Sequence, residues 1–135
     1  GSLTVTWFHA WQTGTIANTA LFGGLGFEQR QSGGAFISEE SRVALWRSGV
    51  YDIQYALQLP AGLALDTTLV LENNNQPMDD MEVVIKHAAG SSAVYTARTI
   101  ARITAPATFR LSSSKIISIT GEGTLGSLNF LLVAE

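Results

Sequence analysis

Two arginines at a fixed spacing are the clearest candidates for chemistry in this sequence. Arg98 and Arg102 lie four residues apart, so on one strand they share a face. Residues 86–115 around them contain no acid, whereas residues 66–82 contain no base. The two arginines are therefore candidates for binding an anionic ligand, such as a sulfated or sialylated glycan. The alternative, which we favour, is that they pair with the acidic segment across a strand or a subunit boundary.

A carboxylate cluster is the one candidate for a metal site. Asp79, Asp80 and Glu82 follow a turn and offer the oxygen ligands that Ca²⁺ prefers. The alternative is a solvated hairpin end, and we favour it. His9 and His87 have no second metal-type ligand two to four residues further on, so they predict no zinc or related site.

No catalytic residues are predicted. The chain contains no cysteine, which excludes thiolate chemistry, disulfides and cysteine-ligated metals. It contains no nucleophile elbow of the G-x-S-x-G type. The adjacent acids Glu39 and Glu40 would point to opposite faces of a strand, as would Asp79 and Asp80, so neither pair indicates a glycosidase. The glycines at 23–26 match no phosphate-binding loop. We therefore expect no cofactor and no enzyme activity.

Length and composition predict one domain with an unusually uncharged surface. The chain has 135 residues and 14.4 kDa, with 46% hydrophobic and 14% charged residues. We assign residues 3–135 to a single domain and interpret Gly1 and Ser2 as an expression scar. The net charge of −3 argues against a broad nucleic-acid footprint, and no apolar run approaches the roughly 20 residues of a membrane-spanning helix. The low charge content predicts an apolar surface that another molecule covers.

The elements that must position these residues are predicted to be strands. Residues 50–59 alternate apolar and polar side chains, the period of a half-buried strand. Residues 67–72 and 81–85 repeat the pattern around an Asn-rich tip, which predicts a hairpin. Further strands are predicted at residues 3–8, 91–103, 108–111, 115–119 and 127–133, with breaks at the serines 112–114 and the glycines 121–126.

One segment fits either a helix or a strand. Ser38 could cap a helix that has Glu39 and Glu40 in its first turn and Gly49 beyond its end. Residues 42–46 fit equally well as a strand that leads into a Ser48-Gly49 turn. We favour the strand because its neighbours are strands. The prediction is an all-β fold of two antiparallel sheets packed face to face, with Tyr51, Tyr55 and Phe130 buried.

The strand and turn pattern resembles a known family. The segments are GVYDIQYALQLPAG, LVLENNNQPM, VYTARTIARITAP, KIISITGEG and a closing LNFLLVAE. Together they resemble the C-terminal globular domains of bacterial collagen-like surface glycoproteins of the BclA exosporium type, within the TNF-like and complement-head jelly rolls. The family's G-x-Y-x-I-x-Y strand is matched by Gly49, Tyr51, Ile53 and Tyr55. The tip at residues 73–78 keeps the family's Asn and Pro and lacks both of its glycines.

The resemblance implies a jelly-roll head domain that assembles as a homotrimer. It implies a non-enzymatic role after a collagen-like stalk, at the exposed tip of filaments on a spore or cell surface, with adhesion as a further role. The residues assigned to the trimer interface or the core are Tyr51, Tyr55, Tyr95, Ala97 and Phe130. The alternative is a carbohydrate- or receptor-binding tip of a phage or bacterial fibre. An exposed Trp11 or Trp46 beside polar loops would favour that alternative.

Overall fold

Nine β-strands make up the described part of the chain. The computed structural model describes residues 7–20, 27–32, 35–38 and 42–135. The strands are β1 (Trp7–Ala20), β2 (Phe27–Ser32), β3 (Ala35–Ser38), β4 (Arg42–Leu45), β5 (Gly49–Leu59), β6 (Leu65–Asn73), β7 (Gln76–His87), β8 (Ala93–Ile103) and β9 (Ala107–Ala134). Among the described residues, no helix has the length and hydropathy that crossing a bilayer requires.

The strands form two antiparallel sheets that share β9. The first sheet has the order β2-β1-β9-β5-β8, and the second has the order β3-β4-β9-β6-β7. The beginning of β9 pairs with β4 and β6, its end pairs with β5, and β1 pairs along it from Ser112 to Leu131. Because one long strand passes from one sheet to the other, the hydrogen-bonded network is continuous across the sandwich. The predicted all-β, two-sheet architecture is confirmed.

The core lies between the two sheets and is filled by alternate residues of each strand. Along β5 every second side chain is buried, from Tyr51 to Leu59. The rings of Phe109 and Phe130, from the two ends of β9, lie 4.8 Å apart. The hydroxyl of Tyr55 donates a hydrogen bond of 2.8 Å to the backbone carbonyl of Met81, which joins β5 to β7 across the sandwich. Burial of Tyr51, Tyr55 and Phe130 is confirmed.

The hairpin of β6 and β7 has the tip that its sequence predicts. Asn74 and Asn75 both have positive φ, 49° and 66°, a conformation that asparagine tolerates better than most residues. The Oδ1 of Asn74 accepts hydrogen bonds from the backbone N–H and the hydroxyl of Thr108, at 2.9 and 3.2 Å. The backbone N–H of Asn74 also donates to the Thr108 carbonyl. The tip is therefore anchored to the start of β9.

A wide bulge interrupts the same hairpin. Val70 pairs with Glu82 and Glu72 pairs with Pro77, so Leu71 alone faces the four residues 78–81. This excess of residues allows Met81 to be buried and Met78 to pack against the core although they lie three positions apart. Bulges of this kind re-aim side chains along a strand.

Three predicted elements have different outcomes in the structure. Residues 42–45 form a strand, as favoured over the helix. The strand predicted at residues 3–8 was wrong in extent, since β1 continues to Ala20. The predicted breaks within residues 107–134 were also wrong, because β9 is continuous. The polar and glycine-rich stretches mark register shifts in β9 against β1, not chain reversals.

Several sequence features lie outside the described residues. These are Gly1 and Ser2, residues 3–6, Phe22, the glycines 23–26, and the acids Glu39 and Glu40. The side chain of Trp11 is also outside the description.

Candidate interaction face on the first sheet

The outer face of the first sheet collects side chains from four adjacent strands. Cross-strand pairing places His9, Asn129, Gln54 and Arg98 in one row across β1, β9, β5 and β8. The neighbouring row is Trp7, Leu131, Asp52 and Ile100. Directly opposite residues share a face, and alternate residues of β5 and β9 point into the core, so these eight side chains point outward. We call these eight residues the contact face.

An ion pair on the contact face joins β5 to the edge strand β8. The guanidinium of Arg98 donates to both carboxylate oxygens of Asp52, with Nε–Oδ1 at 2.9 Å and Nη2–Oδ2 at 2.6 Å. The two residues occupy diagonal positions on β5 and β8. These hydrogen bonds stabilise the charged form of both groups. They lower the pKa of Asp52 below its usual range and raise the pKa of Arg98. The pair is bidentate, the geometry that fits guanidinium to carboxylate best.

A shallow groove crosses the contact face. It has a volume of about 260 Å³ and is lined by Trp7, His9, Asp52, Gln54, Asn129, Phe130 and Leu131. Within it, the Nδ1 of His9 and the Oδ1 of Asn129 form a hydrogen bond. A second groove of about 230 Å³ lies between the end of β5, the start of β8 and residues 125–127 of β9. The polar side chains of the main groove are thus largely paired with one another.

Apolar side chains surround the ion pair and are open to solvent. Ile100 is 61% exposed and Leu131 is 44% exposed. Val94 and Val133, further along β8 and β9, are exposed on the same side of the sheet. Exposed aliphatic side chains on adjacent strands of one sheet are typical of a surface that another protein covers.

The outer face of the second sheet has a different chemistry. Its side chains bond to each other across β6 and β9: Ser112 donates to Glu72 at 2.8 Å, and Arg110 approaches Glu72 at 4.0 Å. The backbone N–H of Thr68 donates to the Ser114 hydroxyl at 3.0 Å. Apart from the exposed Val84, this face is lined mainly by hydroxyl and charged groups, so it has fewer exposed aliphatic side chains than the contact face.

Tyr95 and Ala97, the β8 residues predicted to lie at a trimer interface or in the core, are on the inner side of their strand. Both are half-buried and pack against the core. The ring of Tyr95 meets that of His87 edge to face at 6.2 Å. A charge introduced at Tyr95 would therefore disturb folding as well as any subunit contact, so outward residues of β8 are better probes of assembly.

Arg98 and Arg102 do not form ion pairs with the acidic segment at residues 66–82 of the same subunit. Arg98 pairs with Asp52, which lies outside the acidic segment at residues 66–82. Arg102 is exposed near the end of β8 and forms no ion pair with a described residue. Within the subunit, no ion pair joins either arginine to a described residue of the acidic segment, because β5 and not β7 is the hydrogen-bonded neighbour of β8. Pairing across a subunit boundary stays a prediction.

The candidate metal ligands do not converge. Asp79 and Asp80 lie in the bulge of β7, and Asp80 accepts a hydrogen bond from Thr99. In the described part of the chain, no group of three or more histidine or acidic side chains could hold a metal ion. His87 is buried, and its Nδ1 donates a hydrogen bond of 2.7 Å to the carbonyl of Leu63, which links β7 to the loop between β5 and β6.

Sequence reasoning missed most of the contact face. Asp52, Gln54 and Asn129 appear in the sequence only as the polar members of alternating strands. Their alternation does predict that they point away from the core. Which strands lie side by side, and hence which polar residues meet, depends on the sheet order.

Comparisons with solved structures identify the architecture. Murine APRIL at pH 5.0 superposes with a TM-score of 0.72 at 10% identity, over 96% of this chain and 99% of that one. Eiger TNF from S. frugiperda gives 0.72 at 9% identity, over 97% and 92%. Pika GITRL gives 0.59 at 13% identity, over 98% of both chains. No family model and no curated protein matches the sequence. The fold is a TNF-like jelly roll.

Proposed function

We propose that this TNF-like jelly roll is a non-enzymatic head domain that assembles as a homotrimer through its contact face. In this proposal it is the head of a collagen-like bacterial surface or spore filament protein. There it drives trimerisation, forms the exposed extracellular tip, and takes part in adhesion. The fold and the resemblance of residues 43–133 to such heads support the proposal.

The observation that carries the proposal is the contrast between the two outer faces. The contact face exposes Ile100 and Leu131 and carries its two charges as an internal ion pair. A face whose charges neutralise each other does not repel a copy of itself, whereas a face with charges of one sign does. Covering such a face removes apolar surface from water and leaves no buried charge without a partner.

A charge placed on the contact face should prevent assembly. We expect Leu131→Arg to remain folded, because Leu131 is exposed, and to elute as a monomer of 14.4 kDa. The matched control is Val84→Arg, since Val84 is 59% exposed on the second sheet. Size exclusion with light scattering measures the mass of each variant. Equal masses for the wild type and Leu131→Arg would overturn the proposed contact.

A carbohydrate-binding tip is the second candidate function. The observation that favours it is Trp46, which is 58% exposed beside the turn at Ser48 and Gly49. The C–H faces of sugar rings pack against exposed aromatic rings. A titration of tryptophan fluorescence with neutral and sialylated oligosaccharides tests this function. Saturable quenching that Trp46→Ala abolishes would support it, and no response to any sugar would reject it.

A further inference from the structure

We infer that the Asp52–Arg98 ion pair is the element that allows another subunit to cover the contact face. This inference rests on the proposed function, because it assigns a role within the same subunit contact. Asp52 and Arg98 would neutralise each other between β5 and the edge strand β8, beside the exposed side chains of Leu131 and Ile100.

The position of the pair carries the first step of the argument. Asp52 lies directly between Leu131 on β9 and Ile100 on β8, the two exposed aliphatic residues of its row. Any partner that covers these two side chains also covers the carboxylate between them. A carboxylate removed from water without a partner is strongly unfavourable, whereas one held by two hydrogen bonds from a guanidinium is tolerated.

The state of the neighbouring polar groups carries the second step. His9 and Asn129 are bonded to each other in the adjacent row, and Gln54 lies between Asn129 and Arg98. The polar groups of the face are therefore mostly paired before any association takes place. A surface whose charges already have partners can dock against a copy of itself without burying an unpaired charge.

The third step is that the pair is not required for folding. The Arg98 side chain is 63% exposed in the isolated subunit. Exposed ion pairs contribute little to the stability of a fold, because water screens them. Removing Arg98 should therefore leave the jelly roll folded and affect only what happens when the face is covered. Folding and assembly respond differently to the same substitution, which separates this role from a structural one.

Three variants test the inference in a wild-type background. Arg98→Ala leaves Asp52 charged and unpaired. Asp52→Asn combined with Arg98→Gln removes both charges and keeps hydrogen-bonding groups of similar size. Arg110→Ala is the matched control, because it breaks an ion pair with Glu72 on the outer face of the second sheet. Light scattering over a dilution series measures assembly, and circular dichroism with urea titration measures folding.

The expected results follow from the cost of an unpaired charge in a covered interface. For Arg98→Ala, the concentration at half-assembly should rise by about tenfold or more, while the urea midpoint of the dissociated subunit stays near that of the wild type. The doubly neutral variant should assemble within about threefold of the wild type. Arg110→Ala should assemble as the wild type does.

The contrary results are distinct from one another. Wild-type assembly by Arg98→Ala would overturn this inference and leave the proposed homotrimer standing. Loss of assembly in both Arg98→Ala and the doubly neutral variant would also overturn it, since neutralisation would then not be the role of the pair. A wild-type protein that remains monomeric would overturn the proposed function itself.

Discussion

At the scale of single residues, buried polar groups connect the two sheets. The hydroxyl of Tyr55 reaches the carbonyl of Met81, which lies in the bulge of β7 where regular pairing with β6 is interrupted. Burial raises the pKa of Tyr55, with a further contribution from Glu82, so the phenol stays protonated as a donor. One side chain thus satisfies a backbone group that the bulge leaves outside the ladder.

Replacing Tyr55 with phenylalanine tests the value of this bond. We expect Tyr55→Phe to lower the free energy of unfolding by about 1–3 kcal/mol, because the buried Met81 carbonyl loses its donor. The control is Tyr95→Phe, since the Tyr95 hydroxyl makes no hydrogen bond to the described residues. Urea unfolding of both variants gives the comparison. An equal loss of unfolding free energy in the two variants would show that the hydrogen bond from Tyr55 to Met81 does not stabilise the fold.

At the scale of elements, turns and close approaches determine where strands end. Asn74 and Asn75 share a left-handed conformation, but only Asn74 uses its side chain to hold Thr108 at the start of β9. The glycine that opens β5 is a case of close approach. A Cβ atom on Gly49 would lie 2.7 Å from the carbonyl oxygen of Ala134 and would also meet Leu132.

The two tip asparagines should respond differently to glycine. Glycine adopts positive φ without strain, so Asn75→Gly should leave the stability unchanged or slightly raise it. Asn74→Gly keeps the backbone conformation but removes the acceptor for Thr108, and should cost about 1 kcal/mol. Chemical denaturation of both variants provides the measurement. A loss at Asn75 as large as that at Asn74 would contradict the assigned roles.

A methyl group at Gly49 should separate the ends of two paired strands. We expect Gly49→Ala to destabilise the fold by about 1–3 kcal/mol, because β5 and the end of β9 must move apart. Gly90→Ala is the control, since nothing lies within 4 Å of a Cβ atom there. Thermal unfolding of the two proteins makes the comparison. A neutral Gly49→Ala would mean that the end of β9 moves away at little cost.

Some of the strands could be predicted from the sequence alone, and others could not. Strands β5 to β8 were predictable because their buried and exposed residues alternate and their turns are marked by asparagine, proline or glycine. The continuity of β9 was not, because three serines and several glycines resemble turn residues when their pairing partners are unknown. The Asp52–Arg98 pair depends on β5 lying beside β8, a non-local fact that periodicity does not contain.

At the scale of the whole molecule, the two outer faces of the jelly roll differ in chemistry, and the proposed homotrimer covers the more apolar one. The outer face of the second sheet exposes Val84, but hydroxyl and charged groups that bond to each other make up most of it. The first sheet exposes aliphatic side chains around a neutralised ion pair. An asymmetry of this kind is typical of a subunit whose apolar face is covered in an assembly with closed symmetry.

The mass of the wild-type protein in solution is the most direct test of this account. Light scattering coupled to size exclusion at low micromolar concentration gives that mass without reference to shape. The account predicts a single species of three times the 14.4 kDa of the chain. A species of 14.4 kDa at all concentrations would contradict it, and the contact face would then be open to a different partner.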